Sequence, residues 1–195
     1  YVLEWGPLAI IIIFQPEIRR LLEHIGRSAF EDIYHIENQE EREEIVNEIV
    51  VAIKNLSDSK TGALLVIEQS TGLGEIVNSG TILDAKITSH LLENIFVPNT
   101  PLHDGATIIR KDKILASGCV LPLTSNNTIN KKLGTRHRAA LGLSEVSDSI
   151  IIVVSEETGI ISLAINGKLT RNYEGDRLKR VLQNIFKSNE SAVKI

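Results

Sequence analysis

Apolar residues recur along this chain with two different periods, and the switch between them marks out its elements. Residues 31–44 are strongly acidic and carry few apolar positions, and Ile45, Ile49, Ile53 and Leu56 then fall on one helical face. Asn38 with Glu41 three residues later has the form of a capping box, so a helix is expected over about 39–56. Residues 63–67 are an unbroken apolar run of strand length, followed by the turn-rich Gln69-Ser70-Thr71-Gly72-Leu73-Gly74. Thr88 or Ser89 is placed to cap a helix running to about Phe96, with Leu91, Leu92, Ile95 and Phe96 turned inward. Residues 106–110 and 113–121 predict a β-hairpin around Lys111-Asp112, and 122–132 reads as a polar loop. Two more strands are expected over 149–155 and 160–166, joined through Glu156-Glu157-Thr158-Gly159. A helix over 176–186 follows, with Leu178, Val181, Leu182 and Ile185 on its apolar face, and the last residues are expected to fray. Helices and strands interleave, yet several strand pairs are joined by short turns. That combination predicts an α/β fold, a single globular domain with a central mixed sheet flanked by helices.

The N-terminal end follows a different rule. Leu8 to Phe14 is almost purely aliphatic but too short to span a bilayer alone. Arg19, Arg20 and Arg27 behind it are where the positive-inside tendency would put them. Ile18, Leu21, Leu22 and Ile25 have the spacing of an amphipathic helix lying near a membrane surface. The sequence contains no methionine and begins at Tyr1, so its true N-terminus is expected upstream, and Leu8 to Phe14 is expected to be the last part of a transmembrane helix. The expected organisation is the end of a membrane segment with its connector over 1–36, a globular domain over 37–188, and a tail over 189–195.

Composition narrows the function classes. Hydrophobic residues make up 43% and charged residues 24% of 195, with a net charge of -4. An acidic chain of this kind is no general nucleic-acid binder, although a local basic pocket is compatible with it. The single cysteine, Cys119, lies in an apolar run and is expected to be a buried, reduced thiol.

Two short segments carry candidate chemistry. In Gly134-Thr135-Arg136-His137-Arg138, Thr135 stands where a helix should start, with a hydroxyl suited to capping it. Basic residues at a helix start oppose the dipole unless an anion is bound, so Arg136 and Arg138 point to phosphate. In Pro101-Leu102-His103-Asp104-Gly105-Ala106, Asp104 is either a turn former or a group that binds a metal or takes a hydroxyl proton. His103 is either a second ligand or a packing residue. Glu156 and Glu157 sit at a strand end, where sheets place ligands. Gly72 and Gly74 lack the Lys-Ser/Thr and third glycine of a phosphate loop.

The Asp-Gly-Ala and Arg-His-Arg triplets, preceded by Pro-Asn-Thr-Pro-Leu-His and Gly-Thr, resemble the diadenylate cyclase (DAC) domain over about residues 45–187. Phe-Gln-Pro-Glu-Ile-Arg-Arg at 14–20 resembles the membrane-anchored branch of that family, which implies a cell-membrane protein with its catalytic domain facing the cytoplasm. The resemblance implies condensation of two ATP molecules into cyclic di-AMP across a face-to-face homodimer. It implies a divalent metal, Mn²⁺ or Mg²⁺ with Co²⁺ a third candidate, and regulatory protein partners. Carried over by motif, Asp104, Gly105, Ala106, Arg136, His137 and Arg138 would be catalytic. ATP would be held by Gly105, Leu121, Thr135, Arg136, Arg138, Ser155 and Glu157, and the metal by Asp104, His103 and Glu157. The alternative is a non-catalytic adenine-nucleotide sensor. A metal-dependent hydrolase built from His90, His103, Asp104 and His137 is a third reading.

Overall fold

The computed structural model describes residues 39–124 and 134–191. The expected membrane segment and connector, the Asn38 half of the capping box, most of the 122–132 loop and the last four residues lie outside them. Twelve elements follow one another along the described residues. They are α1 (Gln39–Asp58), β1 (Ala63–Ile67), α2 (Gly74–Val77), β2 (Thr81–Lys86), α3 (Ser89–Ile95), β3 (Ala106–Arg110), β4 (Lys113–Cys119), α4 (Thr135–Val146), β5 (Ile150–Val154), β6 (Ile161–Ile165), β7 (Lys168–Arg171) and α5 (Gly175–Ser191). No helix among the described residues is long and apolar enough to cross a membrane.

The seven strands form one mixed sheet in the order β2-β4-β3-β1-β5-β6-β7. Only β1 and β3 run parallel, and the chain passes from one to the other through α2, β2 and α3. All other neighbours are antiparallel. The central strands are buried on both faces, which is why β1 and β5 read as continuous apolar runs instead of alternating ones. On one face Leu64, Val66, Ala106, Ile108, Ile151 and Val153 pack against Ala139, Ala140 and Leu143 of α4. On the other, α1 packs against α3, α5 and β5. The predicted mixed-sheet fold is the observed one.

Three short elements carry no sequence signal. α2 is a single turn, while β2 and β7 are the sheet's edges and are largely exposed. Edge strands carry polar and charged residues such as Lys86, Lys168 and Arg171 because an apolar edge would pair with other chains. The last helix also runs past its expected end at Phe186, since α5 continues to Ser191. Thr88 does cap α3, accepting from the Leu91 N–H at 3.2 Å. Cys119 is fully buried and its thiol is pushed by burial up to about 11, so it stays a thiol.

After β4 the backbone crosses directly over α4 at Gly142. A Cβ there would stand 2.6 Å from the Thr124 nitrogen and closer still to the Pro122 carbonyl oxygen. Alanine normally stabilises a helix interior relative to glycine, but here the contact is with backbone that cannot turn aside. Gly142→Ala is expected to destabilise the protein by about 1–3 kcal/mol. A thermal melt unchanged or raised would show that the 121–124 segment shifts freely.

Candidate functional site

Strand register gathers the candidate residues at one end of the sheet. Leu65 pairs with Thr107 in the parallel β1–β3 pair, and Ala63 pairs with Val154 in the antiparallel β1–β5 pair. The start of β3, the start of β1 and the end of β5 therefore share one end. Ala106 pairs with Cys119, which brings the end of β4 and Leu121 to the same place. With neighbouring strands about 4.8 Å apart, the chain entering β3 at Gly105 lies roughly 10 Å from the chain leaving β5 at Ser155. The span suits a nucleotide phosphate chain.

The loop before β3 presents Asp104 to solvent, with no hydrogen bond or ion pair to another described residue. Gly105 has φ +126°, and a Cβ on it would lie 2.7–2.9 Å from backbone atoms of Gly118 and Cys119. The glycine is demanded by the close approach of this loop to β4, whatever binds in front of it. His103 Nδ1 lies 2.6 Å from the Thr100 carbonyl oxygen. A carbonyl only accepts, so Nδ1 carries the proton and the Nε2 lone pair remains available to a ligand.

Helix α4 begins at Thr135, with Gly134 as its N-cap. The expectation that the Thr135 hydroxyl caps the helix is corrected by this placement: Thr135 is the first helical residue, and Gly134 at the N-cap has no side chain to cap the turn. A helix start whose N-cap has no side chain, with two arginines and no acidic residue in its first turn, is electrostatically suited to an anion. The three side chains of the Arg-His-Arg triplet diverge. Arg138 is exposed, and Arg136 is half-buried with Nη1 2.6 Å from Glu156 Oε2. His137 is buried beneath the helix, its Nε2 3.5 Å from the Ser162 hydroxyl of β6. Burial pushes the His137 pKa down, helped by Arg171 and opposed by Glu157, so the ring is neutral at neutral pH. It supports the helix from below.

One residue and one pairing at this end have no signal in the sequence. Gly62 lies under the Arg136–Glu156 pair, where a Cβ would stand 2.7 Å from Arg136 Nη1 and 2.9 Å from Glu156 Oε2. In sequence it is only a turn glycine before a strand. Glu156 was noted at a strand end, but its pairing with Arg136 depends on α4 and β5 meeting. Leu121 is buried, Ser155 half-buried, and Glu157 exposed at the same end.

The turn with Gly72 and Gly74 is filled by the protein itself. Asp148 accepts from the Ser70 and Thr71 backbone N–H groups at 3.1 and 2.9 Å. Burial raises the Asp148 pKa, but the Thr71 and Ser70 bonds outweigh it and the net shift is downward. A depressed folded-state value contributes stability that is present above the unfolded pKa, near 4, and is lost as pH falls through the folded one. Acid unfolding below about pH 4 is therefore expected to be shallower in Asp148→Asn than in the wild type. Parallel stability–pH curves would refute that role.

Among the described residues no group of three or more His, Cys, Asp or Glu side chains is arranged to hold a metal unaided. His90, the remaining ligand of the hydrolase reading, is exposed on α3. Two cavities of about 340 and 390 Å³ lie elsewhere and include none of the candidate residues. The candidates lie along a ledge of strand ends at this end of the sheet.

Comparison with known proteins is consistent in one direction. Residues 50–169 match the family described as DisA bacterial checkpoint controller nucleotide-binding (DAC). The chain is 50% identical over 185 residues to the cyclic di-AMP synthase CdaA of Bacillus subtilis, covering 95% of this chain and 68% of that protein. It is 48% identical over 180 residues to a diadenylate cyclase of Listeria monocytogenes, covering 92% of this chain and 66% of that one. The chain thus spans about two thirds of the length of these relatives. Among solved structures, a double-cysteine mutant of DacA from Staphylococcus aureus superposes with TM-score 0.75 at 41% identity, over 76% of this chain and 99% of that one. A structure titled a hypothetical membrane spanning protein from Bacillus cereus gives TM-score 0.64 at 48% identity, over 66% of this chain and 63% of that one.

Proposed function

Because the chain belongs to the diadenylate cyclase (DAC) family, we propose that it acts as its curated relatives are named, condensing two ATP molecules into cyclic di-AMP with release of two pyrophosphates. The observation that carries this reading over a nucleotide sensor is the pairing of functions at one sheet end. A doubly basic helix start suits a polyphosphate, and Asp104 adds a carboxylate, without a partner among the described residues, that mere binding does not require.

Residues 37–188 form the cyclase domain in this proposal. The Arg136 and Arg138 guanidiniums and the first-turn N–H groups of α4 hold the triphosphate, with Thr135 adding a hydroxyl contact. Leu121 meets adenine through its backbone, and Ser155 and Glu157 approach the phosphates. Asp104 takes the proton of the ribose 3′-hydroxyl as that oxygen attacks the α-phosphorus of the other nucleotide. Gly105 and Ala106 leave room for the approach, and His137 holds the helix start in place.

The donors present fit a divalent cation that shares its coordination with phosphate. Asp104, His103 Nε2 and Glu157 would hold it together with the phosphate oxygens. A bound Mn²⁺, Mg²⁺ or Co²⁺ would offset negative charge on the phosphates and lower the pKa of an attached hydroxyl.

Each subunit binds one ATP, so two ledges must face each other across a two-fold axis for both bonds to form. Membrane association through helices upstream of residue 1, with the catalytic domain in the cytoplasm, would raise the local concentration of subunits. Regulatory proteins are partners in the same reading, and nucleic acid is not.

The test is incubation with ATP and Mn²⁺ or Mg²⁺ over a dilution series, with chromatography for cyclic di-AMP. Product is expected, and specific activity should fall as dilution separates the subunits. Binding of ATP without product would favour the sensor. Constant specific activity in a sample shown to be monomeric would exclude the face-to-face dimer.

A further inference from the structure

Two hydroxyl side chains stand in strands that are otherwise apolar at their buried positions. Thr107 in β3 and Ser117 in β4 are both completely buried. Ala106, Ile108, Ala116 and Cys119 belong to the core on the α4 face, so alternation puts Thr107, and Ser117 next to the Gly118 irregularity, on the opposite face. A buried hydroxyl is costly unless it is paired, so the partners of these two decide what they are for.

The partners lead to the Asp104 loop. Thr107 Oγ1 and Ser117 Oγ are 2.8 Å apart, and Ser117 Oγ lies 3.1 Å from the Leu102 carbonyl oxygen. A carbonyl oxygen can only accept, so the single Ser117 proton goes to Leu102. Thr107 must then be the donor to Ser117. The direction of the relay is thereby set: Thr107 to Ser117 to the backbone one residue before His103 and two before Asp104. The same loop is pressed on β4 from its other end, where Gly105 leaves no space for a Cβ against Gly118 and Cys119. The positive φ of Gly118, +68°, produces the local irregularity in β4 that accommodates it.

We infer that Ser117 and Thr107 are positioning residues of the reaction, a buried hydroxyl relay on the back of the sheet that holds the His103–Asp104 loop in its reactive place. The inference deepens the cyclase reading and rests on it for the role of Asp104. Neither hydroxyl touches substrate. Their effect is geometric, and displacement of a reacting group by about 1 Å costs on the order of a hundredfold in rate.

The experiment compares three variants of the full chain by amide hydrogen exchange at residues 102–105, cyclic di-AMP formation and thermal unfolding. Ser117→Ala cuts the bond to Leu102, Thr107→Val removes the donor while keeping volume, and Thr107→Ser keeps the relay but loses a buried methyl. Loop exchange should quicken and kcat fall in the order Ser117→Ala, then Thr107→Val, with Thr107→Ser within about twofold of wild type. Ser117→Ala is expected to lose on the order of ten- to a hundredfold in kcat with KM for ATP within about threefold. Thermal stability should follow a different order, because Thr107→Ser leaves a cavity and Thr107→Val does not. Activity and exchange that simply track thermal stability would overturn the inference, as would a Ser117→Ala protein with wild-type exchange and kcat. A wild-type protein that makes no cyclic di-AMP would sink the cyclase reading instead, and the exchange order would then decide the relay alone.

Discussion

Asp104→Asn is expected to bind ATP nearly as well as the wild type and to lose product formation by about 10²–10⁴-fold, the range for a positioned acid–base group. The asparagine side chain has almost the same shape, and the loop around it is held by contacts that do not involve the carboxylate. Gly105 is packed against Gly118 and Cys119, Ser117 holds the Leu102 carbonyl, and His103 holds that of Thr100. The fold should therefore be indifferent to the change, within about 0.5 kcal/mol for an exposed position. What is lost is a negative charge that can accept a proton and bind a cation. Chromatography for cyclic di-AMP beside an ATP titration and a thermal melt would separate these effects. Near-normal turnover would remove Asp104 from the mechanism, and loss of ATP binding would make it a ligand instead of a reactive group.

Arg136→Ala is expected to weaken triphosphate binding by about 1.5–3 kcal/mol, the range for a hydrogen bond to a charged group. Without nucleotide, one nitrogen of its guanidinium is engaged by Glu156 while the fork retains further donors. Glu156 is largely exposed and the pair is screened, so Glu156→Gln should change ATP affinity much less, by under about fivefold. Titration of ATP into the Asp104→Asn background measures both effects without turnover. An unchanged affinity in Arg136→Ala would mean that this arginine serves the opposite subunit or is spent on Glu156.

Legibility of the chain followed the range of the interaction that determines each feature. The strand at 63–67 and the hairpin at 106–121 announce themselves through runs of Ile, Val and Leu, and α1 through a one-sided apolar stripe. The Thr88 cap was readable because its partner is three residues away. Thr135 shows the limit of the same reasoning. A hydroxyl at a helix start reads as the cap, yet the helix begins at Thr135 itself and Gly134 precedes it. A shift of one residue decides between capping and leaving N–H groups for a ligand.

The mixed α/β architecture, the two motifs and the segments that carry them are legible in the chain, because periodicity, turn residues and charge next to a helix start are local properties. Which segments meet is a matter of long-range packing. The pairing of Ala63 with Val154 and of Ala106 with Cys119 gathers four strand ends into one ledge. The same closure puts Gly62 under Arg136, gives Arg136 to Glu156, and turns His137 toward Ser162. It also supplies the reason for Gly105, whose neighbour in space is a strand more than ten residues away. Those contacts join residues far apart in the chain, and their partners are chosen by strand register and by which helix covers which face, neither of which is written in any single stretch of residues.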